Sequence, residues 1–165
     1  MFFYEEVFRE FQDRRVKYVV VGGIAVNLLG SLRSTADMDI LVEMTDENIR
    51  NVVNALTDLG FRAKQPVDPA GLACRETRSR WMEEKHMKAF NFYKDGELEE
   101  VDVVLESPVE FQEAISDAVH LDIDGVDIPV ISIDHLIEMK KVTGRPIDRQ
   151  DIRELRKIQE LREDQ

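Results

Sequence analysis

Two aspartates separated by a single residue, Asp37 and Asp39, lie at the start of the mainly apolar segment DMDILVE. Successive side chains of a strand point to opposite faces, so both carboxyl groups share one face, with their Cα atoms about 6.5–7 Å apart. Neighbouring carboxylates raise each other's pKa, and a divalent cation relieves this because hard cations prefer carboxylate oxygens. The pair therefore suggests a metal site, although Asp-x-Asp also arises by chance when 34 of 165 residues are acidic.

A diglycine, Gly22-Gly23, ends the apolar segment KYVVV and precedes a short helical segment, IAVNLLG. Its glycine spacing does not fit the dinucleotide-binding fingerprint, and the Lys-Ser/Thr ending of a P-loop is missing. A third carboxylate, Asp102, lies in the later strand pattern EEVDVVLE, flanked by valines. We interpret Glu99 and Glu100 as solvated hairpin residues.

Together these features resemble the signature of the DNA polymerase beta-like nucleotidyltransferase superfamily, which has an apolar residue, Gly, then Gly or Ser, and Asp-x-Asp after a gap. Val21-Gly22-Gly23 and Asp37-Met38-Asp39 match it. The segments from Trp81 to Phe111 and from Ser132 to Leu155 look like those of small stand-alone prokaryotic nucleotidyltransferase-like proteins. The resemblance implies a nucleotidyltransferase fold of the α+β (α/β) class. Its mixed sheet of about five strands would be flanked by helices.

The resemblance also implies the catalytic machinery. Asp37, Asp39 and Asp102 would be the catalytic residues and would bind two Mg²⁺ or Mn²⁺ ions. Gly22 and Gly23 would donate backbone N–H groups to the triphosphate of an NTP. Since many relatives have Ser at the second glycine position, Gly23 leaves part of the triphosphate binding to other groups.

Three cationic side chains are candidates for phosphate binding, and each has a structural alternative. Arg33, four residues before Asp37, could instead form a surface salt bridge. Lys140 lies near a helix end, where cations complement the helix dipole. Arg145 belongs to the TGRPID segment, where Gly144 as a helix C-cap, Pro146 as a helix stop and Asp148 as the next N-cap explain the pattern without catalysis.

The segment CRETRSRWMEEKHMK contains five Lys/Arg against three Glu and includes Trp81, the only tryptophan. Its cations would form a flap over the acceptor or a solvated loop; these are Arg75, Arg78, Arg80, Lys85 and Lys88. Trp81 could stack on a base, but it is the single Trp of a small domain, so we expect it in the core.

Residues 1–131 are predicted to form the sheet domain with an N-terminal helix at 3–15, and residues 132–165 a C-terminal helical cap. Hairpins are predicted around Asp95-Gly96 and Asp124-Gly125, and the segment that starts at Pro108 is predicted to be helical. The last two helices are predicted at about 133–143 and 149–162.

Composition limits the function classes. The sequence has one cysteine, lacks a signal-peptide pattern and has no stretch apolar enough to cross a membrane, so a cytoplasmic location is expected. The net charge of −12 disfavours long nucleic acids.

The expected reaction is transfer of an NMP from a Mg-NTP to a hydroxyl or phosphate of RNA, protein or a small molecule, with release of pyrophosphate. The alternative is a catalytically silent binding protein of the same fold, such as a toxin–antitoxin component. Homo-oligomerisation or an antitoxin partner would be compatible with either reading.

Overall fold

The structure, a computed structural model, describes residues 2–165 and contains one mixed sheet of seven strands. The strands are β1 (Tyr18–Val21), β2 (Asp37–Val42), β3 (Arg62–Ala63), β4 (Ala89–Tyr93), β5 (Glu100–Val104), β6 (Val119–Ile123) and β7 (Val126–Val130). Their spatial order is β3-β4-β5-β2-β1-β7-β6. β2 runs parallel to β5 and β1 parallel to β7, while the other neighbouring pairs are antiparallel. This mixed α/β architecture has the expected fold class.

Seven α-helices surround the sheet: α1 (Glu5–Asp13), α2 (Gly22–Leu28), α3 (Asp46–Asp58), α4 (Arg75–Glu84), α5 (Phe111–Ser116), α6 (Ile133–Thr143) and α7 (Pro146–Glu163). Thr45 caps α3 and Ser132 caps α6, each accepting a hydrogen bond from the backbone N–H three residues on. None of the helices in residues 2–165 combines the length and apolar character needed to cross a bilayer.

The strand alternation decides which residues enter the core. Met38 and Ile40 of β2, and Val101 and Val103 of β5, are completely buried. The aspartates between them therefore face the opposite side of the sheet. Four inward residues of two strands thus fix the direction of the acidic side chains.

The predicted count of about five strands is too low. β3 has only two residues, too short for a periodic pattern, whereas both strands of the predicted last hairpin, β6 and β7, are present. The turn at Asp124-Gly125 has positive φ at both residues, as expected for a tight hairpin turn.

The basic segment is helical from Arg75 to Glu84, so the solvated-loop alternative is wrong for this part of it. A 3₁₀ turn (Pro69–Ala73) leads into α4, and Arg78 of α4 is buried, donating to the Leu72 carbonyl and to Asp46. Trp81 is 7% exposed and stacks on Phe90, with ring centroids 5.9 Å apart, so it is a core residue as predicted. The packing is tight, since a Cβ on Gly71 would approach the Trp81 ring to 2.7 Å.

Two further predictions about helix ends need correction. The predicted helix at Pro108 begins only at Phe111. Pro146 does not stop a helix but is the first residue of α7, a position where its missing N–H costs nothing. Asp148 is consequently the third residue of α7 rather than its N-cap, and its carboxylate accepts the backbone N–H of Arg145 at 3.1 Å.

Candidate active site

Four carboxylates form a two-by-two array on one face of β2 and β5. The parallel register places Asp37 beside Glu100 and Asp39 beside Asp102. Ligand oxygens of Asp37, Glu100 and Asp102 lie within 4.8 Å of one another. The three predicted aspartates therefore converge, and Glu100 joins them. Its interpretation as a solvated hairpin residue is wrong, because it is half-buried in β5.

Asp39 is packed directly against the diglycine. A Cβ on Gly22 would lie 2.1 Å from Asp39 Oδ2, and Gly22 has φ +69°. Both facts require glycine at this position, because another residue would collide with the carboxylate and strain the backbone. The second glycine, Gly23, instead faces the Arg33 guanidinium and the Thr35 hydroxyl, 2.7 and 2.9 Å from its virtual Cβ.

The electrostatics of the array favour a cation. Burial, the charge of Asp102, a hydrogen bond with Asp102 and the charge of Asp37 raise the pKa of Asp39 to about 7, while Lys140 acts in the opposite direction. Burial, Glu100 and Asp102 also raise the pKa of Asp37, against the effect of Lys64. Lys64 is ion-paired with Glu100. A cluster of carboxylate oxygens whose pKa values are raised by burial and mutual repulsion suits Mg²⁺ or Mn²⁺, because both ions prefer oxygen ligands.

Two amide side chains adjoin the array on its β4 side. Asn91, directly opposite Asp102 in the β4–β5 register, donates from Nδ2 to Asp102 Oδ1 at 2.6 Å. Gln65 in turn donates to Asn91 Oδ1 at 2.7 Å and accepts the backbone N–H of Asn91 at 3.1 Å. Neither amide was predicted from the sequence, although Asn91 is the polar residue between Phe90 and Phe92 in an alternating strand.

A phenol connects the two strands that hold the carboxylates. The hydroxyl of Tyr4 accepts the backbone N–H of Glu100 at 2.9 Å and shares its proton between the carbonyls of Glu100 and Ala36. Burial is the main reason that the pKa of Tyr4 is raised. Tyr4 thereby ties the first residues of β2 and β5 together from the N-terminal segment.

A cleft of about 510 Å³ opens beside Asp39, between the sheet and the last two helices. Its polar wall contains Gly22, Asp39, Lys140, Arg145 and Asp148. Its apolar wall is built mainly by α6, and the residues are Leu136, Met139 and Val142. Three of the five predicted nucleotide-binding residues, Gly22, Lys140 and Arg145, line this cleft.

A network of ion pairs joins the three predicted phosphate-binding cations, Arg33, Lys140 and Arg145, to α7. Lys140, 5% exposed, lies 2.8 Å from Asp151 Oδ2 and 3.6 Å from Asp148 Oδ1. Arg33 shares the same Asp151 oxygen at 2.8 Å, and Arg145 pairs with Asp148 at 2.9 Å. Three cations thus share two carboxylates of α7, and Lys140 also acts on Asp39 across the cleft.

Comparison with known proteins gives the family. Residues 4–162 match the profile of a family described as nucleotidyltransferase of unknown function (DUF6036). The chain belongs to this family. A comparison with curated proteins finds no significant match to this DUF6036 protein.

Solved structures with the same fold include two antibiotic-modifying enzymes. The lincosamide adenylyltransferase LnuA, bound to lincomycin, has a TM-score of 0.62 and 19% identity, with 93% of this chain and 96% of that chain covered. ANT(2")-Ia, in complex with adenylyl-2"-tobramycin, has a TM-score of 0.59 and 15% identity, with coverages of 95% and 91%.

A third structure is the putative nucleotidyltransferase TM1012 from Thermotoga maritima, with a TM-score of 0.55 and 18% identity, and with coverages of 91% and 90%. At these identities the likeness establishes the nucleotidyltransferase fold of this DUF6036 member.

Proposed function

We propose that this protein is a metal-dependent nucleotidyltransferase that moves an NMP from an NTP to an acceptor and releases pyrophosphate. The observation that supports this most is the array of Asp37, Asp39, Glu100 and Asp102 on one sheet face, with Asp39 lining a cleft that also contains Gly22. Family membership supports the reaction class.

The cation-binding residues would be Asp37, Asp39 and Asp102, for two Mg²⁺ or Mn²⁺ ions. Bound divalent cations would supply neutralisation of phosphate charge and a lower pKa of an acceptor hydroxyl. Glu100 lies within ligand distance of the same group and would extend the set. Asp39 would lose its proton when a cation binds, because the positive charge reverses the effect that raises its pKa.

The triphosphate would lie in the cleft, close to the diglycine. Gly22 and Gly23 would donate backbone N–H groups, and the cationic side chains of Lys140, Arg33 and Arg145 would offset phosphate charge. In the reaction the acceptor oxygen forms a bond to the α-phosphorus, and the bond from that phosphorus to the bridging oxygen breaks. Pyrophosphate leaves with the bonding electrons, and the Asp102 carboxylate accepts the acceptor proton.

For the acceptor we propose a small hydroxylated molecule. The two antibiotic-modifying neighbours, bound to lincomycin and to adenylyl-tobramycin, support this choice. So does the acidity of the site itself, because the carboxylates of β2 and β5 share one sheet face and favour an acceptor with amino groups. We place the reaction in the cytoplasm, where NTPs and Mg²⁺ are abundant.

Isothermal titration calorimetry with ATP, CTP, GTP and UTP tests this proposal, with Mg²⁺ and with EDTA. Wild type is expected to bind at least one NTP only with Mg²⁺, and Asp39→Asn should abolish binding. Asp13→Asn, an exposed aspartate of α1, is the charge-matched control and should bind like wild type. Incubation with the labelled NTP and a fractionated extract should then identify the acceptor.

Absence of metal-dependent NTP binding in wild type would contradict the enzymatic proposal. It would favour the alternative, a silent protein of this fold whose function is to bind a partner such as an antitoxin or a second copy. Labelling of RNA or protein rather than a small molecule would overturn only the acceptor class.

A further inference from the structure

Asp102 differs from the other three carboxylates in being held by a neutral donor. Asn91 Nδ2 donates to Asp102 Oδ1 at 2.6 Å, whereas Glu100 is paired with Lys64. Asn91 and Asp102 face each other across β4 and β5, so the contact is set by the strand register and not by a mobile loop.

The orientation of the Asn91 amide is fixed from behind by Gln65. Gln65 Nε2 donates to Asn91 Oδ1, and Gln65 Oε1 accepts the backbone N–H of Asn91. Each amide therefore has its oxygen facing a donor and its nitrogen facing an acceptor. A flipped Asn91 would place its oxygen against the Asp102 carboxylate and its nitrogen against the nitrogen of Gln65, so both contacts would be lost.

We propose that Asn91, oriented by Gln65, is a positioning residue for Asp102 as a cation ligand; this inference rests on the proposed function. The amide holds Oδ1 and leaves the second carboxylate oxygen for the cation. Outer partners of this kind orient metal ligands, and their loss weakens metal affinity about 10–100-fold.

It matters for cation binding that the Asn91 amide, which donates to Asp102, is uncharged. A lysine or arginine at position 91 would also hold Asp102, but its positive charge would compete with the metal for the same carboxylate. An amide donates the hydrogen bond and leaves the negative charge of the array in place. Asn91 therefore orders the ligand without reducing the attraction for the cation.

Binding of Mn²⁺ without nucleotide, measured by calorimetry, tests the inference independently of activity. Asn91→Leu, which removes the donor and keeps the branching of the side chain, should weaken Mn²⁺ binding about 10-fold or more. The matched control is Asn54→Leu on the exposed side of α3, which should bind like wild type. Unfolding curves identify variants that do not fold.

Two substitutions of Gln65 make the test decisive even if Asn91→Leu does not fold. Gln65→Met removes the support and should weaken binding several-fold. Gln65→Glu adds a negative charge, which by simple electrostatics should strengthen Mn²⁺ binding. If Gln65 orients Asn91, Mn²⁺ binding should weaken instead. A carboxylate at position 65 can only accept hydrogen bonds, so it would attract the Asn91 amide nitrogen and turn it away from Asp102.

The outcomes separate the two proposals. If wild type binds no Mn²⁺ without nucleotide, the inference fails, while the proposed function is decided separately by the Mg²⁺-dependent NTP titration. If wild type binds Mn²⁺ and the folded Asn91→Leu and Gln65→Glu variants bind equally well or more tightly, the inference alone is overturned. Weaker binding by both, with Asn54→Leu unchanged, supports it.

Discussion

At the scale of single residues, the candidate site is a set of carboxylates whose mutual repulsion is built into the strands. Asp39 experiences the strongest effect, since burial and its neighbour Asp102 raise its pKa to about 7. A carboxyl group whose pKa is higher in the folded state stabilises the fold only while it is protonated. Its contribution is complete below the ordinary value of about 4 and is lost as the pH rises through about 7.

Asp39→Asn should therefore stabilise the metal-free protein at pH 8, by about 1–3 kcal/mol, and have little effect at pH 4. The asparagine keeps the shape of the side chain and cannot ionise. Urea unfolding in EDTA at both pH values measures the difference, with Asp13→Asn as the control. Mg²⁺ should stabilise wild type but not the variant. Equal stability of wild type and Asp39→Asn at pH 8 would contradict the argument.

Sequence motifs identified the aspartates that the structure brings together on one sheet face, but not the side chains that contact them. Asp37, Asp39 and Gly22 belong to a short recognisable pattern, and the two apolar neighbours of Asp102 identified it as a strand residue. Glu100, Asn91 and Gln65 carry no such signal. Their roles depend on which residue of a neighbouring strand they face, and strand pairing is a tertiary property.

At the scale of elements, the register of one hairpin explains why the partner of Asp102 was not predicted. A two-residue turn at Asp95-Gly96 would pair Asn91 with Glu100. The connection instead extends over residues 94–99, and Asn91 pairs with Asp102. A slip of this kind changes each cross-strand partner, although the predicted strands themselves are right.

The junction of α6 and α7 is the element most dependent on charge. Burial would raise the pKa of Asp148, but hydrogen bonds from the Arg145 side chain, the Thr143 hydroxyl and the Arg145 backbone hold it well below its usual range. A carboxylate whose pKa is lowered by folding contributes stability above its ordinary value of about 4, and this is lost as the pH falls below it. The loop between the two helices is thus stabilised at neutral pH.

Asp148→Asn should lower the free energy of unfolding by about 1–3 kcal/mol at pH 7, because an amide places a donor against the surrounding donors. The difference from wild type should shrink at pH 3, where the aspartate of wild type becomes protonated in the unfolded state. Chemical denaturation at the two pH values measures this. Asp164→Asn, at the exposed C-terminal end, is the control, and a pH-independent difference would argue against the ionic origin.

At the scale of the whole molecule, charge separates the candidate acceptors. The net charge is −12, and most of the basic residues near the site are already paired with carboxylates. Affinity for nucleic acid depends mainly on cations that neutralise phosphates. The net charge therefore disfavours an RNA backbone, whereas a single triphosphate needs only the few cations beside the cleft.

We expect no shift of bulk tRNA in a gel mobility assay at 150 mM salt, even at protein concentrations of about 10 μM, because basic RNA-binding proteins reach this range only through many phosphate contacts. The measurement is repeated with Mg²⁺ and the preferred NTP. A basic RNA-binding protein of similar size is the positive control. A salt-sensitive tRNA complex would redirect the search for the acceptor towards RNA.

The fit of Gly22 against the Asp39 oxygen has a consequence for reading other members of the family. A methyl group at position 22 and a carboxylate at position 39 would occupy the same space, so the two positions should vary together. A relative that carries alanine or serine at the first position must have moved or lost the acidic group at the second. The residue types at these two positions would then separate relatives that keep this site geometry from those that have lost it, before any assay is run.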